Sequence, residues 1–386
     1  MIRILNKYKI YPMTPRKRVI SAFKGTPDRT PIFEREVKSP SVREILGKPS
    51  AVDDFPYRME FLEAGDWDGL IEEMAEDAIN VAEICGFDMV RLGLNIPKDY
   101  ERPKRIGNYL WEVEGGFIKY CPESDMDTFI PKIKRENEEE EMRKWLLEGE
   151  FQPPKFRDDQ FEFFRRAKRK MKERGLNLAI MCSLYTFPVA VLPTYMLAWF
   201  ITEPKLLAEY YRRQALWAME LGKRLIEEGA DVIGIGGDLA SDKGPLISPS
   251  CYREVLLPAV RMLSDYLHSL GALVIHASDG NLWPIIDDFL LGAGVDGYEE
   301  IDKAAGMEIP LLRERFGDRI TLVGNVDCRW LLTLGTPKEV KEAVKRCLDE
   351  GGGKRHILMT SNVIHRGVKP ENFLAYLEAY KEYYDL

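Results

Sequence analysis

The stretch GADVIGIGGDLASDKGPLISPSCYREVLLPAVRMLSDYLHSLGALVIHASDGN, residues 229–281, decides the fold. Two short apolar runs, DVIGIGG (231–237) and ALVIHA (272–277), enclose a segment that opens a helix at Ser248-Pro249 and carries Arg253 and Glu254. Serine caps a helix through its hydroxyl, and proline suits the first helical position, where its missing N–H would be unpaired anyway. Run, helix and run make a βαβ unit, whose two strands are parallel and finish on the same side. Asp238, just past the first run, and His276, Ser278 and Asp279, at the end of the second, are therefore expected at one mouth. That mouth is the predicted active site.

Working outward, the same beat recurs. Apolar β-type runs stand at TPIFE (30–34), FDMVRLG (87–93), NLAIMCSL (177–184), GYEEI (297–301), ITLVGNV (320–326) and HILMTS (356–361), which with the first two makes eight. Each is followed by a segment that can be helical, and helix starts repeat at Thr14-Pro15, Thr202–Pro204, Thr336-Pro337 (with Glu339 as a capping box) and Lys369-Pro370. Continuous hydrophobicity suits strands buried on both faces. Eight such strands with covering helices predict a closed (β/α)8 barrel, a TIM barrel, with its site at the strands' C-terminal ends. A doubly wound open sheet fits the alternation too; the strand count and the lack of a GxGxxG after the first strand favour the barrel. Gly351-Gly352-Gly353-Lys354 precedes its strand, so it reads as a helix-to-strand connection rather than a phosphate loop.

The gap between the second and third runs is longer than one crossover helix needs. It holds YLWEVEGGFIKYC (109–121), an alternating pattern turning at Gly115-Gly116 that predicts a β-hairpin, then an acidic run from Glu138 to Glu141 and Pro153-Pro154. Residues 96–160 are expected to be an insertion over one rim of a single 1–386 domain, serving as a lid or a homodimer contact.

Of the 386 residues, 45% are hydrophobic and 31% charged, and the formal net charge is -8, which argues against a nucleic-acid or anionic-membrane partner. The six cysteines, at 85, 121, 182, 251, 328 and 347, form no CxxC pair. The N-terminus lacks the apolar core of a signal peptide, and FPVAVLPTYMLAWFI (187–201) is short for a membrane span and broken by Pro188 and Pro193. A soluble, cytoplasmic protein is expected.

Taken in order, TPRKRVISAFKGTPDRTPIFE (14–34), GDLASDKGPLISPSCYREVLLP (237–258), HASDGN (276–281), GAGVDGYEEID (292–302), GDRITLVGNVD (317–327), LLTLGTPKEV (331–340) and KPENFLAY (369–376) resemble the successive blocks of the uroporphyrinogen decarboxylase-like superfamily. The resemblance implies a (β/α)8 barrel and one of two chemistries, porphyrinogen decarboxylation or corrinoid-dependent methyl transfer at zinc. The decarboxylases' arginine-rich segment after the first strand is here REVKSPSVREILG (35–47), which keeps Arg35 and little else. Their acid after the second strand is replaced by RLGLN (91–95), and their late histidine by Asn362. The thiol-methylating branch binds zinc through a His-x-Cys pair and a distant cysteine, whereas this chain has Ser278 after His276 and Asn362 at the far position. Anchoring on the glycine instead puts Asp279 at the first cysteine position.

A third branch is similar, the aryl-ether O-demethylases, which use acids and a histidine in place of thiolates and pass a methoxy methyl group to the Co(I) corrinoid, a cobalamin-type cofactor, of a partner protein. This similarity implies zinc held by Asp238, Glu254 and His276, with Asp for the branch's first Glu. An unactivated ether is a poor substrate for displacement, because its alkoxide or phenolate leaves badly. A Lewis acid or a proton aimed at the oxygen lowers that barrier, and oxygen and nitrogen ligands keep zinc electron-poor. The expected catalytic groups are His276, Asp238 and Asp279. Tyr185, Phe187, Tyr195 and Trp199 can stack on an aromatic substrate, and Glu300, with its neighbour Glu299, Asn362 and His365 lie at strand ends where they can orient it. The expected function is O-demethylation of a methoxylated, aromatic small molecule. The rivals are a metal-free decarboxylase of a tetrapyrrole or other polycarboxylate, and a barrel that binds a corrinoid protein but has lost catalysis.

Overall fold

The computed structural model describes residues 11–123, 126–132 and 137–386. Its centre is a parallel sheet of seven strands, in the order Met89–Arg91, Ala179–Tyr185, Val232–Gly236, Leu273–Ala277, Gly297–Glu299, Thr321–Val323 and His356–Ile357. The eighth run, TPIFE, closes the ring. Asp88 N donates to Ile32 O on one side (2.8 Å), while Phe33 N donates to Leu358 O and Leu358 N to Pro31 O on the other (3.0 and 2.8 Å). A sheet closed on itself leaves no edge of unpaired backbone groups. The (β/α)8 barrel expected from the eight runs is the architecture observed.

Side chains along each strand alternate between the barrel interior and the surrounding helices. Phe33, Met89, Ala179, Met181, Val232, Ile275, Val323, Ile357 and Met359 fill the interior, and Val19, Ala22 and Phe23 of the helix Pro15–Lys24 pack against them. Arg16 N of that helix donates to Asn177 O, just before the second strand of the sheet, and Phe23 lies against Gly297 at the start of the fifth, so the helix plugs the N-terminal end. The opposite end stays open, because the later inward positions are polar or small: Arg35, Arg91, Ser183, Gly236, Ala277 and Glu299. The outward positions Ile180, Cys182, Leu184, Ile233, Ile235, Val274, Tyr298 and Leu322 form the larger core beneath the helices.

Helix starts follow the sequence signals. The Thr14 hydroxyl accepts from Lys17 N, the Ser248 hydroxyl from Cys251 N, and Thr336 and Glu339 complete a reciprocal box. The helix after Ser248 widens into a π turn over Tyr252–Leu256 before continuing as Leu257–Ser269. Pro258 has no N–H to donate to the Glu254 carbonyl four residues earlier, and the wider turn accommodates that loss.

The expected hairpin at Gly115-Gly116 is the middle of a larger unit. Lys104–Gly107, Leu110–Val113, Gly116–Cys121 and Met126–Pro131 form a four-stranded antiparallel meander. Trp111 and Tyr120 anchor it, buried against Phe55. The acidic run lies in the first turn of the helix Glu138–Glu148, beside that helix's positive end. All six cysteines are free, and among the described residues no helix is long and apolar enough to cross a membrane.

Candidate functional site at the open end of the barrel

A cavity of about 320 Å³ opens at the C-terminal ends of the strands, lined by Arg35, Glu36, Arg91, Ser183, Tyr185, Gly236, Asp238, Ala277, Glu299 and Glu300 among others. Such a volume is at the lower end of the roughly 300–1,000 Å³ typical of small-molecule sites and suits one aromatic ring better than four.

Glycines bring the wall together. At Gly236, φ is 143°, and a Cβ there would stand 2.1 Å from Ala277 O, so only glycine lets the two strand ends approach this closely. Gly237 in turn runs against the backbone of Phe187 and Pro188. The chain then delivers Asp238 to the rim, where the Tyr185 hydroxyl donates to its Oδ2 at 3.2 Å. Burial and the neighbouring Asp238 charge push the Tyr185 phenol up to about 12.

Ser278 and Asn362 stand where the resemblance puts thiolates, and both position carboxylate loops. The buried Ser278 hydroxyl accepts from Leu239 N (3.1 Å) and donates to Asp279 O, which ties the loop carrying Asp238 to its own. Asn362 Nδ2 donates to Asp279 Oδ2 at 3.1 Å. Burial, with Glu300, Asp238 and Asp302 nearby, raises the Asp279 carboxyl to about 6 despite that donor.

Glu299 and Glu300 are consecutive, and both reach the cavity. Strand alternation forbids this unless the chain turns, and Glu300 does so with φ 66°, a left-handed conformation that costs a non-glycine residue about 1–2 kcal/mol. Arg35 forms a short ion pair with Glu300. Burial outweighs that partner, and the Glu300 carboxyl rises to about 7. Arg91 is held by Glu36 (3.2 Å) and Asp53 (3.1 Å). Glu299 is fully buried, and neither of its oxygens has a hydrogen-bond partner; burial raises its pKa.

The structure thus brings Tyr185, Asp238, Asp279, Glu300 and Asn362 to one mouth, and places the other expected residues elsewhere. His276 occupies an outward strand position between Val274 and the helices. It is fully buried, stacked on Phe289 at 3.8 Å, with Nδ1 2.8 Å from Phe289 O. Burial without a charged partner lowers its pKa to about 4, its Nε2 is buried with no hydrogen-bond partner, and the residue does not line the cavity. Glu254 stands exposed on the π turn. The expected zinc set Asp238, Glu254 and His276 is therefore not assembled, and among the described residues no three His, Cys, Asp or Glu side chains are grouped to hold a metal ion.

Phe187 and Trp199 are core residues, the first beside Tyr211 and the second donating its indole N–H to Glu139. Tyr195 packs edge-on against Trp199. None of the three lines the cavity, because the segment after the third run doubles back into the helix layer rather than over the mouth. His365 is pinned in its own loop, Nε2 at 3.2 Å from Cys328 O and Nδ1 accepting from Gly367 N. The residues missed from the sequence are Arg91 and Glu36. The signal for Arg91 was available in FDMVRLG, where a charged residue ends an otherwise apolar strand.

Comparison with known proteins agrees with this architecture. A methyltransferase from Methanosarcina mazei superposes with a TM-score of 0.68 at 20% identity, covering 96% of this chain and 99% of that one. Among curated proteins, a methylated-thiol–coenzyme M methyltransferase from Methanosarcina mazei is 27% identical over 187 residues, 48% of this chain and 47% of the relative. A uroporphyrinogen decarboxylase from Coxiella burnetii is 30% identical over 167 residues, 41% of this chain and 42% of the relative. A methylcobamide:CoM methyltransferase from Methanosarcina barkeri is 31% identical over 171 residues, 43% and 46% of the two chains. The chain spans about half the length of the curated relatives it matches. Residues 160–383, more than half of the sequence, match the uroporphyrinogen decarboxylase (URO-D) family description, and with the barrel and its open-ended site in view, the chain belongs to that family.

Proposed function

We infer that this protein is a methyltransferase that takes a methyl group from an O-methylated, aromatic compound and passes it to the Co(I) corrinoid of a partner protein. Two of the relatives just described are methyltransferases of methylated-thiol and methylcobamide compounds. The observation that carries the reading is what stands at the two thiolate positions: Ser278 and Asn362, both engaged in positioning Asp238 and Asp279. A site without thiolates has nothing to hold a thiol acceptor, and a mouth lined with carboxylates that keep protons near neutrality suits an oxygen leaving group. Tyr185, more than half exposed, offers the aromatic face at the rim.

Arginines 35 and 91 on the wall favour a second reading, decarboxylation of a polycarboxylate. Both are already engaged by protein carboxylates, and Asp238 stands on the same wall. A polyanion would meet repulsion there. The deciding experiment mixes the protein with methoxylated aromatics and a Co(I) corrinoid protein and follows cobalt methylation by absorbance. Methylation with at least one donor supports transfer. Tight binding of the corrinoid protein without turnover on any donor would leave only a binding role.

A further inference from the structure

Five carboxylates surround the mouth, and four have partners inside the protein: Glu36 has Arg91, Asp238 has Tyr185, Asp279 has Asn362, and Glu300 has Arg35. Glu299 has none, although both of its oxygens are sealed from solvent and it lines the cavity. A buried ionised carboxylate without a hydrogen bond costs several kcal/mol, so a fold that keeps one there holds it neutral or reserves it for a ligand. The inward position of Glu299 is fixed by strand pairing, with Ala277 opposite on one side and Val323 on the other, so the carboxyl cannot swing into the helix layer. The charged groups facing it are Glu34 at the end of the first run, Arg35 and Glu36 just after it, Arg91 across the barrel mouth, and Glu300 beside it.

We propose that Glu299 is the catalytic acid of the site, a protonated carboxyl that donates to the ether oxygen of the bound donor and gives up its proton as that oxygen leaves. The assignment rests on the methyl-transfer reading above. In the step, the methyl carbon forms its new bond with the electron pair of the acceptor's Co(I) as its bond to oxygen breaks. The carbon–oxygen pair stays on oxygen, which takes the Glu299 proton, so the products are the free phenol, the Glu299 carboxylate and a methyl group on cobalt now formally Co(III). The carboxylate is reprotonated from water before the next turnover. Burial supports the protonated state by raising the carboxyl pKa, with Glu36 acting in the same direction and Arg35 and Arg91 against it.

The test compares Glu299→Gln with the unaltered protein on two methyl aryl ethers, one with an ordinary phenol as leaving group and one with a nitro-substituted phenol that leaves without help. Glutamine keeps the volume and a hydrogen-bond donor but has no acidic proton. The expected result is a loss of 100-fold or more in kcat on the ordinary ether, a loss under fivefold on the nitro ether, and KM within threefold on both. Equal losses on both ethers, or no loss on the ordinary one, would overturn the assignment. In the unaltered protein the rate should also fall as pH rises through the Glu299 pKa, and the variant should lose that limb; a limb that persists in the variant counts against Glu299. An unaltered protein that methylates cobalt from neither ether refutes the methyl-transfer reading itself, and the Glu299 role with it. Activity of the unaltered protein with the large loss confined to the ordinary ether upholds both, and a larger loss on the nitro ether overturns the Glu299 assignment.

Discussion

His276 was the histidine the sequence put nearest the chemistry, and the structure buries it against Phe289, away from the cavity wall. The prediction at this position changes accordingly. His276→Ala removes a ring stacked on Phe289 and should cost about 2–4 kcal/mol in denaturant unfolding, while the folded fraction keeps its methyl-transfer rate. Asp238→Asn and Asp279→Asn should do the reverse, leaving stability within about 1 kcal/mol and lowering kcat by roughly 10²-fold or more, read in the same cobalt assay. The mouth also sets a pH dependence. The Asp279 and Glu300 carboxyls are raised to about 6 and about 7, so the folded protein holds protons that the unfolded chain has released. Their stabilisation is complete below the ordinary carboxylate range near pH 4 and is lost as pH rises through 6 and 7. The thermal midpoint should therefore drop between pH 5 and 8, and Glu300→Gln should flatten that slope by an amount on the order of 1–3 kcal/mol.

At the scale of the element, the strand ends decide which residues meet. Gly236→Ala would drive a methyl group into the Ala277 carbonyl at a φ few side chains adopt, so it should lower the melting temperature and displace Asp238, cutting activity more than stability alone explains. Proline and capping signals made the helices legible, and eight apolar runs made the barrel legible, because each signal is local. The facing of a side chain within a strand was not. In ALVIHA both faces are buried, one in the barrel and one under helices, so hydrophobicity carries no parity and His276 reads as well inward as outward. Asp238 and Asp279 were readable because they lie just past their strands, where alternation no longer assigns a face. Phe187, Tyr195 and Trp199 were not, since an aromatic after a strand can enter the core or the site with equal composition. Glu299 was named only as the neighbour of Glu300, and the inward register is what sets it on the cavity wall beside Arg91.

For the whole molecule, the governing quantity is the sign of the cavity. Arg35 and Arg91 are answered by Glu300, Glu36 and Asp53, and Asp238 remains on the wall with no cation facing it, with Asp279 beside it at the mouth. An uncharged methoxyphenol should accordingly show a lower KM than the matching methoxybenzoate, and added salt should narrow the gap by screening the exposed rim. The URO-D family fold fixes where the site lies, and these residues fix what it tolerates. The most direct measurement is isotope tracing with an aryl ether labelled at the methoxy carbon, in the presence of the Co(I) corrinoid protein. One label on cobalt for each phenol released is the predicted result; label that stays on the ether while a tetrapyrrole or other polycarboxylate loses CO2 would contradict it.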